Sequence, residues 1–353
     1  MLFAILSRRL EIGARPTVGL TILMLAVFLG LGLGSALAQE HFAGKQIRVI
    51  VPTSSSGGGY GLYGQLAASH LGRFIAGNPT VVVSYMPGAA GLVAMNYLYE
   101  IAPRDGTVIA VMSQDLATYQ ARGTKGVRYD AARFSYIGRA TSNVPVHMVW
   151  HTAKARSIAD IRIHEVITGA VGSRGTHFDM PTAQNALLGT KWKVIGGYPG
   201  SNEVRIAMER GEVQAAVAPA TLFNSQLKPL LDQGLISIVV QYADFRHPQL
   251  PKVPAIVELA ETAEAKGVFK FLVSLATLGR SYAAPPGVPE NVVGILRQGF
   301  EAMVEDADFK AEAQKLGADL MPMPGGQLAA HVKEVIATPT AIVKRTNEVV
   351  GTN

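Results

Sequence analysis

Apolar positions along most of this chain predict short buried strands that alternate with helices. Residues 47–51 form an apolar run interrupted only by Arg48, and positions 63, 66, 67, 70, 71 and 74 then share one helix face. Similar runs predict strands at 80–84, 108–112, 166–170, 193–196, 213–217 and 236–240. This order is typical of α/β folds with parallel sheets. The last third, including 290–316, is expected to form helices that cover an existing sheet.

The first 38 residues have the features of a secretory signal peptide. Arg8, Arg9 and Arg15 precede an apolar run at 18–33, and Ala36-Leu37-Ala38 follows as a cleavage pattern. We therefore expect cleavage after Ala38 and a periplasmic mature protein. An uncleaved membrane anchor is the alternative, because the run is almost long enough to span a bilayer. The export route, general secretory or twin-arginine, stays open.

Composition excludes several classes of protein. Hydrophobic residues make up 48% of the 353 residues and charged residues 16%, which is the opposite of a disordered chain. Cys is absent, so disulfide scaffolds and thiolate zinc sites are excluded. The net charge of +6 comes without a basic stripe or a repeat of basic and aromatic residues, so nucleic acid is not an expected partner.

A glycine-rich segment after the first predicted strand matches the spacing of a dinucleotide-binding loop. Gly59, Gly61 and Gly64 give the GxGxxG pattern. That use needs an acidic residue about 20 positions on to hold the ribose, yet no Asp or Glu occurs between His41 and Tyr99. The pattern therefore favours an anion at a helix N-terminus over a nucleotide cofactor. A flexible glycine turn is the remaining alternative.

Two further loops have the same construction. Residues 171–177 and 196–201 follow predicted strands, are rich in Gly and Ser, and lead into predicted helices. Each could be an ordinary turn by itself. Ligands of open α/β sheets bind at the carboxyl ends of the strands, so the three loops together predict one binding crevice.

Signatures of catalysis and of metal binding are incomplete. His164-Glu165 begins an HExxH motif that lacks its second histidine, and no serine elbow or phosphate-binding P-loop is present. His147 and His151 have HxxxH spacing in an apolar run without an acidic third ligand. We expect packed or hydrogen-bonded histidines, no catalytic residues, no metal site and no cofactor.

Eight segments, taken in order, match a known family. They are Ile47-Arg48-Val49-Ile50-Val51-Pro52, Gly57-Gly58-Gly59, Met86-Pro87-Gly88-Ala89-Ala90-Gly91, Ala102-Pro103-Arg104-Asp105-Gly106-Thr107, Gly197-Tyr198-Pro199-Gly200-Ser201, Glu209-Arg210-Gly211-Glu212-Val213, Leu250-Pro251-Lys252-Val253-Pro254 and Ala284-Pro285-Pro286-Gly287-Val288-Pro289. From about residue 44 to residue 350 the chain resembles the Bug (TctC-like) receptors, the periplasmic solute-binding proteins of tripartite tricarboxylate transporters.

The resemblance implies a type II periplasmic-binding-protein fold with two α/β lobes joined by two hinge crossings. Lobe 1 would combine residues 39–146 with 244–353, and lobe 2 would comprise 147–243. The crossings would lie near 146–150 and 239–244, and the lobes would close on the ligand.

The resemblance also implies a carboxylate held by backbone amides of both lobes. The corresponding ligand-binding residues here are Ser56, Gly57, Gly58, Gly59, Tyr60, Gly88, Ala89, Ala90, Gly172, Ser173, Arg174, Gly175, Thr176, His177, Tyr198, Gly200 and Ser201. Two positions depart from the family pattern. Gly61 replaces an Asp of many relatives, which disfavours an amino-acid ligand, and Arg174 either clamps the carboxylate or points to solvent.

The resemblance further implies a function. The chain is expected to be a non-catalytic, monomeric receptor that captures a small organic carboxylate and delivers it to integral-membrane transporter subunits. A receptor that reports the ligand to a signalling partner is one alternative, and an exported enzyme on the same fold is another.

Overall fold

Two β-sheets form the framework of the molecule. The computed structural model describes residues 41–53, 58–171, 175–198, 201–220 and 227–351, so the predicted signal peptide lies outside the described residues. The strands are β1 (Gln46–Val51), β2 (Thr80–Tyr85), β3 (Val108–Val111), β4 (Ser135–Thr141), β5 (Pro145–Trp150), β6 (Val166–Val171), β7 (Trp192–Tyr198), β8 (Ala215–Pro219), β9 (Ile236–Gln241), β10 (Arg280–Ala284) and β11 (Met323–Pro324).

Helices cover both sheets. They are α1 (Gly58–His70), α2 (Leu92–Glu100), α3 (Leu116–Ala121), α4 (Ile158–Ile163), α5 (Thr176–Leu188), α6 (Ser201–Glu209), α7 (Lys228–Asp232), α8 (Ala263–Leu278), α9 (Glu290–Glu305), α10 (Ala307–Lys315), α11 (Gly325–Ile336) and α12 (Thr340–Val350). No helix in the described part of the chain is long and apolar enough to cross a membrane.

The first sheet has the strand order β11-β4-β10-β3-β1-β2 and the second has β7-β6-β8-β5-β9. β1 pairs in parallel with β2 and β3, and β6 pairs in parallel with β7 and β8. β10 is antiparallel to β3 and β4, and β5 is antiparallel to β8 and β9. The expectation of parallel sheets is therefore wrong in part, because antiparallel strands complete both of them.

The last third also differs from its prediction. It contributes β10 to the middle of the first sheet and β11 to its edge, in addition to the predicted helices. β10 is short and consists largely of small or polar residues, Arg-Ser-Tyr-Ala-Ala. Its strand conformation depends on pairing with β3 and β4. The apolar pattern of a short segment does not predict such long-range pairing.

Side-chain alternation on the strands divides each sheet into two buried faces. Ile47, Val49 and Val51 of β1 join the core under α1 and α9, whereas Ile50 joins the core on the opposite face. Helix α8 contributes to two cores. Phe269 packs with residues of the second sheet, and Phe271 packs with residues of the first. This helix therefore connects the two halves of the molecule.

The chain crosses between the sheets twice. It leaves β4 at Thr141 and enters β5 at Pro145, and it returns to the first sheet through the segment from Tyr242 to β10. The first crossing precedes the predicted 146–150 because those residues already pair within the second sheet. Four residue steps span at most about 15 Å, so the crossing holds the adjoining edges of the two sheets close together.

Candidate functional site

The carboxyl ends of the parallel strands in both sheets face the same cleft. Arg280 at the start of β10 pairs with Thr141 at the end of β4, which places it at the carboxyl edge of β1 and β3. Pro145 at the start of β5 pairs with Pro219 at the end of β8, at the corresponding edge of the second sheet. Since only residues 142–144 separate these edges, loops from both sheets border one crevice, the usual ligand position in open α/β sheets.

Helix α1 brings the first predicted loop to this cleft. The glycines at 59, 61 and 64 all lie within its first two turns, so the GxGxxG pattern is helix rather than turn. A Cβ at Gly64 would lie 2.5 Å from Val51 Cγ2, which explains the need for glycine where α1 packs on β1. The first turn of α1 contains no acidic residue, so its positive dipole end is not neutralised by its own side chains.

Arg280 lies against the start of α1. Its guanidinium carbon is 4.3 Å from the centre of the Tyr60 ring. Its Nη1 donates to Gln114 Oε1 at 3.0 Å and to the Gly279 carbonyl oxygen at 3.2 Å. Its Nε and Nη2 face Gly59, where an added Cβ would lie 2.6 Å from each atom.

The Nε–Nη2 edge of Arg280 packs against Gly59 without a hydrogen-bond acceptor among the described residues. Neither atom donates a hydrogen bond within the described residues, and the guanidinium forms no ion pair there. A cation beside a helix N-terminus is repelled by the helix dipole. An anion near this point would be attracted by both groups, and it could accept two parallel hydrogen bonds if the arginine edge turned away from Gly59.

Gln114 connects this arginine to the first crossing. Its backbone N–H donates to the Tyr60 hydroxyl at 3.0 Å, and its side-chain oxygen accepts from Asn143 Nδ2 at 2.9 Å. Asn143 lies between β4 and β5, and its backbone N–H bonds the Ala276 carbonyl of α8. The side-chain oxygen of Gln114 therefore accepts hydrogen bonds both from Arg280 and from Asn143 in the first crossing.

A cavity of about 190 Å³ lies between α3, α5 and α8, and Asp115, the residue after Gln114, is part of its lining. Its polar lining includes Asp115 and Thr118 of the first half and Thr176 of the second, and its apolar lining comes from Phe271 and Leu275 of α8. Burial raises the pKa of Asp115 to about 6, and the charge of Arg280 partly opposes this. Burial also raises the pKa of Tyr60, again opposed by Arg280.

The described part of the first-sheet prediction lies at the cleft edge. Gly59 and Tyr60 are in the first turn of α1, and Gly88, Ala89 and Ala90 are in the turn between β2 and α2. Gly88 has φ +136° and Ala89 has φ +45°, and a Cβ at Gly91 would lie 3.0 Å from Ser113 Cβ. This turn therefore packs against the end of β3.

Of the residues predicted in the second sheet, those that the structure describes lie at its carboxyl edge. Gly175 and Thr176 border the cavity. Burial lowers the pKa of His177, whose buried Nδ1 has no hydrogen-bond partner in the described structure. Tyr198 ends β7, and its ring packs near Gly169.

Ser56, Gly57, Gly172, Ser173, Arg174 and Gly200 lie outside the described residues. For Gly58 and Ser201 the structure gives only the helix backbone.

The two histidines with HxxxH spacing do not form a metal site. His147 is fully buried, stacks on Trp192 at 3.9 Å, and lies within hydrogen-bond distance of Thr168 Oγ1 and the Tyr242 hydroxyl. His151 is exposed at the end of β5. No group of three metal-ligating side chains occurs among the residues that the structure describes.

Sequence analysis missed Arg280, Gln114, Asp115 and Asn143. Gly279 offered a signal for Arg280, since a glycine that ends a long apolar helix often starts a new element. Its φ is +45°, and a Cβ there would lie 2.1 Å from the Thr141 carbonyl oxygen. The other three residues follow from the topology alone.

No protein-family model and no curated protein matches the chain. Its fold is similar to that of several solved structures. One is a TctC solute-binding protein from Polaromonas without ligand, at 18% identity and TM-score 0.67, covering 86% of this chain and 99% of that one. The periplasmic binding protein BugD is similar at 17% identity and TM-score 0.59, covering 88% and 99%.

A third solved structure is MatC from Rhodopseudomonas palustris with bound malate. It is 18% identical to this chain, with TM-score 0.57 and coverage of 88% of this chain and all (100%) of that one. These solved structures include TctC and BugD solute-binding proteins, as the sequence resemblance predicted. The chain therefore has the type II periplasmic-binding-protein fold, with two α/β sheets linked by two crossings.

Proposed function

We propose that this chain is a periplasmic receptor of the Bug (TctC-like) type that binds a small organic carboxylate between two lobes. The observation that carries the proposal is the Arg280 guanidinium, which forms no ion pair within the described residues and lies at the start of α1, whose first turn contains no acidic residue. Two charge-assisted hydrogen bonds of about 1.5–3 kcal/mol each supply a large share of the roughly 8 kcal/mol of micromolar binding.

The solved structure of MatC with malate supports this choice of ligand class, because it has the same fold and holds a small carboxylate. The two sheets are proposed to be the cores of two lobes, with limits near those expected from the sequence. The bound form would then be recognised by integral-membrane transporter subunits. A leader cleaved after Ala38 would place the receptor in the periplasm, and N-terminal sequencing of the exported protein would identify Gln39 as its first residue.

A ligand screen with a matched variant tests the proposal. The purified protein is heated with acetate, propionate, succinate, malate and citrate, and separately with NAD and nucleoside phosphates. One or more carboxylates should raise the melting temperature, because a ligand at 100 times its dissociation constant adds about 2.7 kcal/mol. Cofactors should have no effect.

Arg280→Gln should weaken the best carboxylate about tenfold or more in calorimetry, since both charge-assisted bonds are lost. Arg104→Gln is the control, because Arg104 is exposed. Stabilisation by nucleotides alone, or equal affinity of wild type and Arg280→Gln, would contradict the proposed function.

A further inference from the structure

Asp115 is a carboxyl group in the cleft that has no structural partner among the described residues. It precedes α3 at the N-cap position, yet its side chain makes no capping hydrogen bond. It lines the cavity between α3, α5 and α8. Within the described residues its carboxylate accepts no hydrogen bond and forms no ion pair, even with Arg280 nearby. An aspartate at the start of a helix usually caps the helix or forms an ion pair. Asp115 does neither with any described residue.

The nearness of Asp115 to Arg280 limits which chemical groups of a ligand can lie beside its carboxylate. Both charges act on the Tyr60 hydroxyl, Arg280 lowering its pKa and Asp115 raising it. Gln114, which accepts from Arg280 Nη1, is the neighbour of Asp115 in the chain. A carboxylate on the arginine therefore lies near a second negative group, which repels further acidic groups of the ligand and attracts hydrogen-bond donors.

We propose that Asp115 forms a second subsite, which accepts a hydrogen bond from a hydroxyl or ammonium group that the ligand carries beside its carboxylate. This inference rests on the function proposed above. The ligand class is narrowed to hydroxy acids or amino acids, which share a donor next to the carboxylate. Phe271 and Leu275 of α8 would contact the carbon skeleton, since they form the apolar lining of the same cavity.

The subsite revises one expectation from the sequence. Gly61 in place of an acidic residue disfavoured an amino-acid ligand, because the family's Asp can orient an amine. In the structure Gly61 is buried in α1, and Asp115, from a different loop, brings a carboxyl group to the cleft. In this proposal the carboxyl group that binds the ligand's hydrogen-bond donor therefore comes from Asp115, before α3, instead of from the position of Gly61 in α1.

Matched ligands test the subsite directly. Propionate, lactate and alanine share a carbon skeleton and carry hydrogen, hydroxyl or ammonium beside the carboxylate, and succinate, malate and aspartate form a second such set. In calorimetry with wild-type protein, the hydroxyl or the ammonium compound of at least one set should bind about tenfold or more tighter than its unsubstituted partner.

Two variants of Asp115 distinguish a hydroxyl donor on the ligand from an ammonium donor. Asp115→Ala should remove the preference, reducing the ratio within a set to about threefold or less. Asp115→Asn keeps a neutral acceptor, so it should retain much of a hydroxyl preference and lose an ammonium preference. Glu301→Gln is the control, because Glu301 is exposed on α9. Folding of each variant is checked by its melting temperature.

The pH profile gives a second measurement. Asp115 has a pKa near 6, so a bound ammonium compound should lose affinity as the pH falls from about 7.5 to about 5.5, where the carboxyl group takes up a proton. An unsubstituted acid should gain affinity over the same range. Among the described residues, the other titratable or charged groups near Asp115 are Tyr60, Tyr119, Arg122, Tyr129, Asp179 and Arg280.

Controls assign the pH trend to one residue. The tyrosines stay neutral and the arginines stay charged over this range, so the trend should persist in Asp179→Asn and vanish in Asp115→Asn. Equal affinities within both ligand sets, unchanged by Asp115→Ala, would overturn the subsite but leave the carboxylate receptor intact. Absence of any carboxylate binding by wild-type protein would instead overturn the proposed function, and the subsite with it.

Discussion

At the scale of single residues, the close approach of Gly59 to Arg280 makes the candidate site sensitive to one added atom. A Cβ at Gly59 would lie 2.6 Å from both Nε and Nη2 of the guanidinium. Gly59→Ala should therefore displace the arginine edge and weaken carboxylate binding about tenfold in calorimetry. Stability should change by less than about 1 kcal/mol, because alanine favours the helix.

Gly294→Ala is the matched control for this change. Gly294 also lies within a helix, but a Cβ added there would meet no side chain or other element within 4 Å, so α9 should gain stability with no change in affinity. Equal binding by Gly59→Ala and wild type would show that Arg280 does not contact the ligand through this edge.

His147 predicts how stability depends on pH. Burial lowers its pKa to about 3, and the neighbouring His177 adds to this. The unfolded chain takes up this proton near pH 6.5, so the stabilisation is complete above that pH. It is lost as the pH falls toward 3, by up to about 1.4 kcal/mol per pH unit.

Denaturant unfolding at several pH values should show this loss in wild-type protein. His147→Gln should be less stable at neutral pH, because the Tyr242 and Thr168 contacts are altered, and its stability should fall less steeply with acid. His151→Gln should follow wild type, since His151 is exposed. An identical slope in His147→Gln would assign the acid sensitivity to other groups.

The residues of the site were predictable only where one loop contained them. Gly59 and Tyr60 could be proposed from a glycine-rich segment after a strand, which is a local pattern. Arg280 touches the Tyr60 ring from far along the chain, and Gly279 beside it indicates the start of a new element but not that contact. Asp115 is one of several scattered carboxylates in the sequence, and only the cavity distinguishes it.

At the scale of elements, α8 is the helix whose stability should matter to both halves of the molecule. Thr262 caps it, with the Ala265 N–H donating to Thr262 Oγ1 at 3.1 Å. Thr262→Ala should cost about 1 kcal/mol of unfolding free energy, whereas Thr262→Ser should restore most of it. Hydrogen exchange should increase in residues of both sheets, because Phe269 and Phe271 pack in different cores.

The matched control is Ser157→Ala at the N-cap of α4. That helix loses the same kind of bond, from the Asp160 N–H to Ser157 Oγ at 3.1 Å. Its buried residues Ile158 and Ile161 belong only to a core of the second sheet. Faster exchange confined to one sheet in both variants would contradict the linking role of α8.

Elements with a strong apolar pattern were predictable, and those formed by pairing were not. The runs at 47–51, 80–84 and 236–240 became β1, β2 and β9, each longer by one residue at one end. The strand expected at 213–217 forms at Ala215–Pro219. β10 and β11 contain five and two residues, too few for a pattern, so their conformation depends on the neighbouring strands.

At the scale of the whole molecule, the proposed function requires the two sheets to approach each other when ligand binds. Small-angle scattering should show a smaller radius of gyration with a saturating carboxylate, because loops from both edges then contact one molecule. Arg280→Gln at the same ligand concentration should scatter like the free protein. A ligand-bound form as open as the free form would contradict closure.

Site-specific labels give an independent measurement of closure. The sequence contains no Cys, so two introduced cysteines would be the sole labelling sites. Ile101 after α2 and Ile163 at the end of α4 are 67% and 66% exposed, and they lie on the two different halves. Their distance distribution should change with ligand in the wild-type background and stay constant with Arg280→Gln.

The place of β10 in the first sheet has a consequence for how the protein is made. β3 and β4 are consecutive along the chain, yet β10 separates them in the sheet. A ribosome releases both strands long before residues 280–284 exist, so the growing chain has a gap in the middle of its first sheet. Pairing over such a sequence distance is slow and leaves apolar strands uncovered meanwhile. The nascent chain therefore stays incompletely folded until its last quarter has been synthesised, a condition under which chaperones bind and a translocation channel can still accept it.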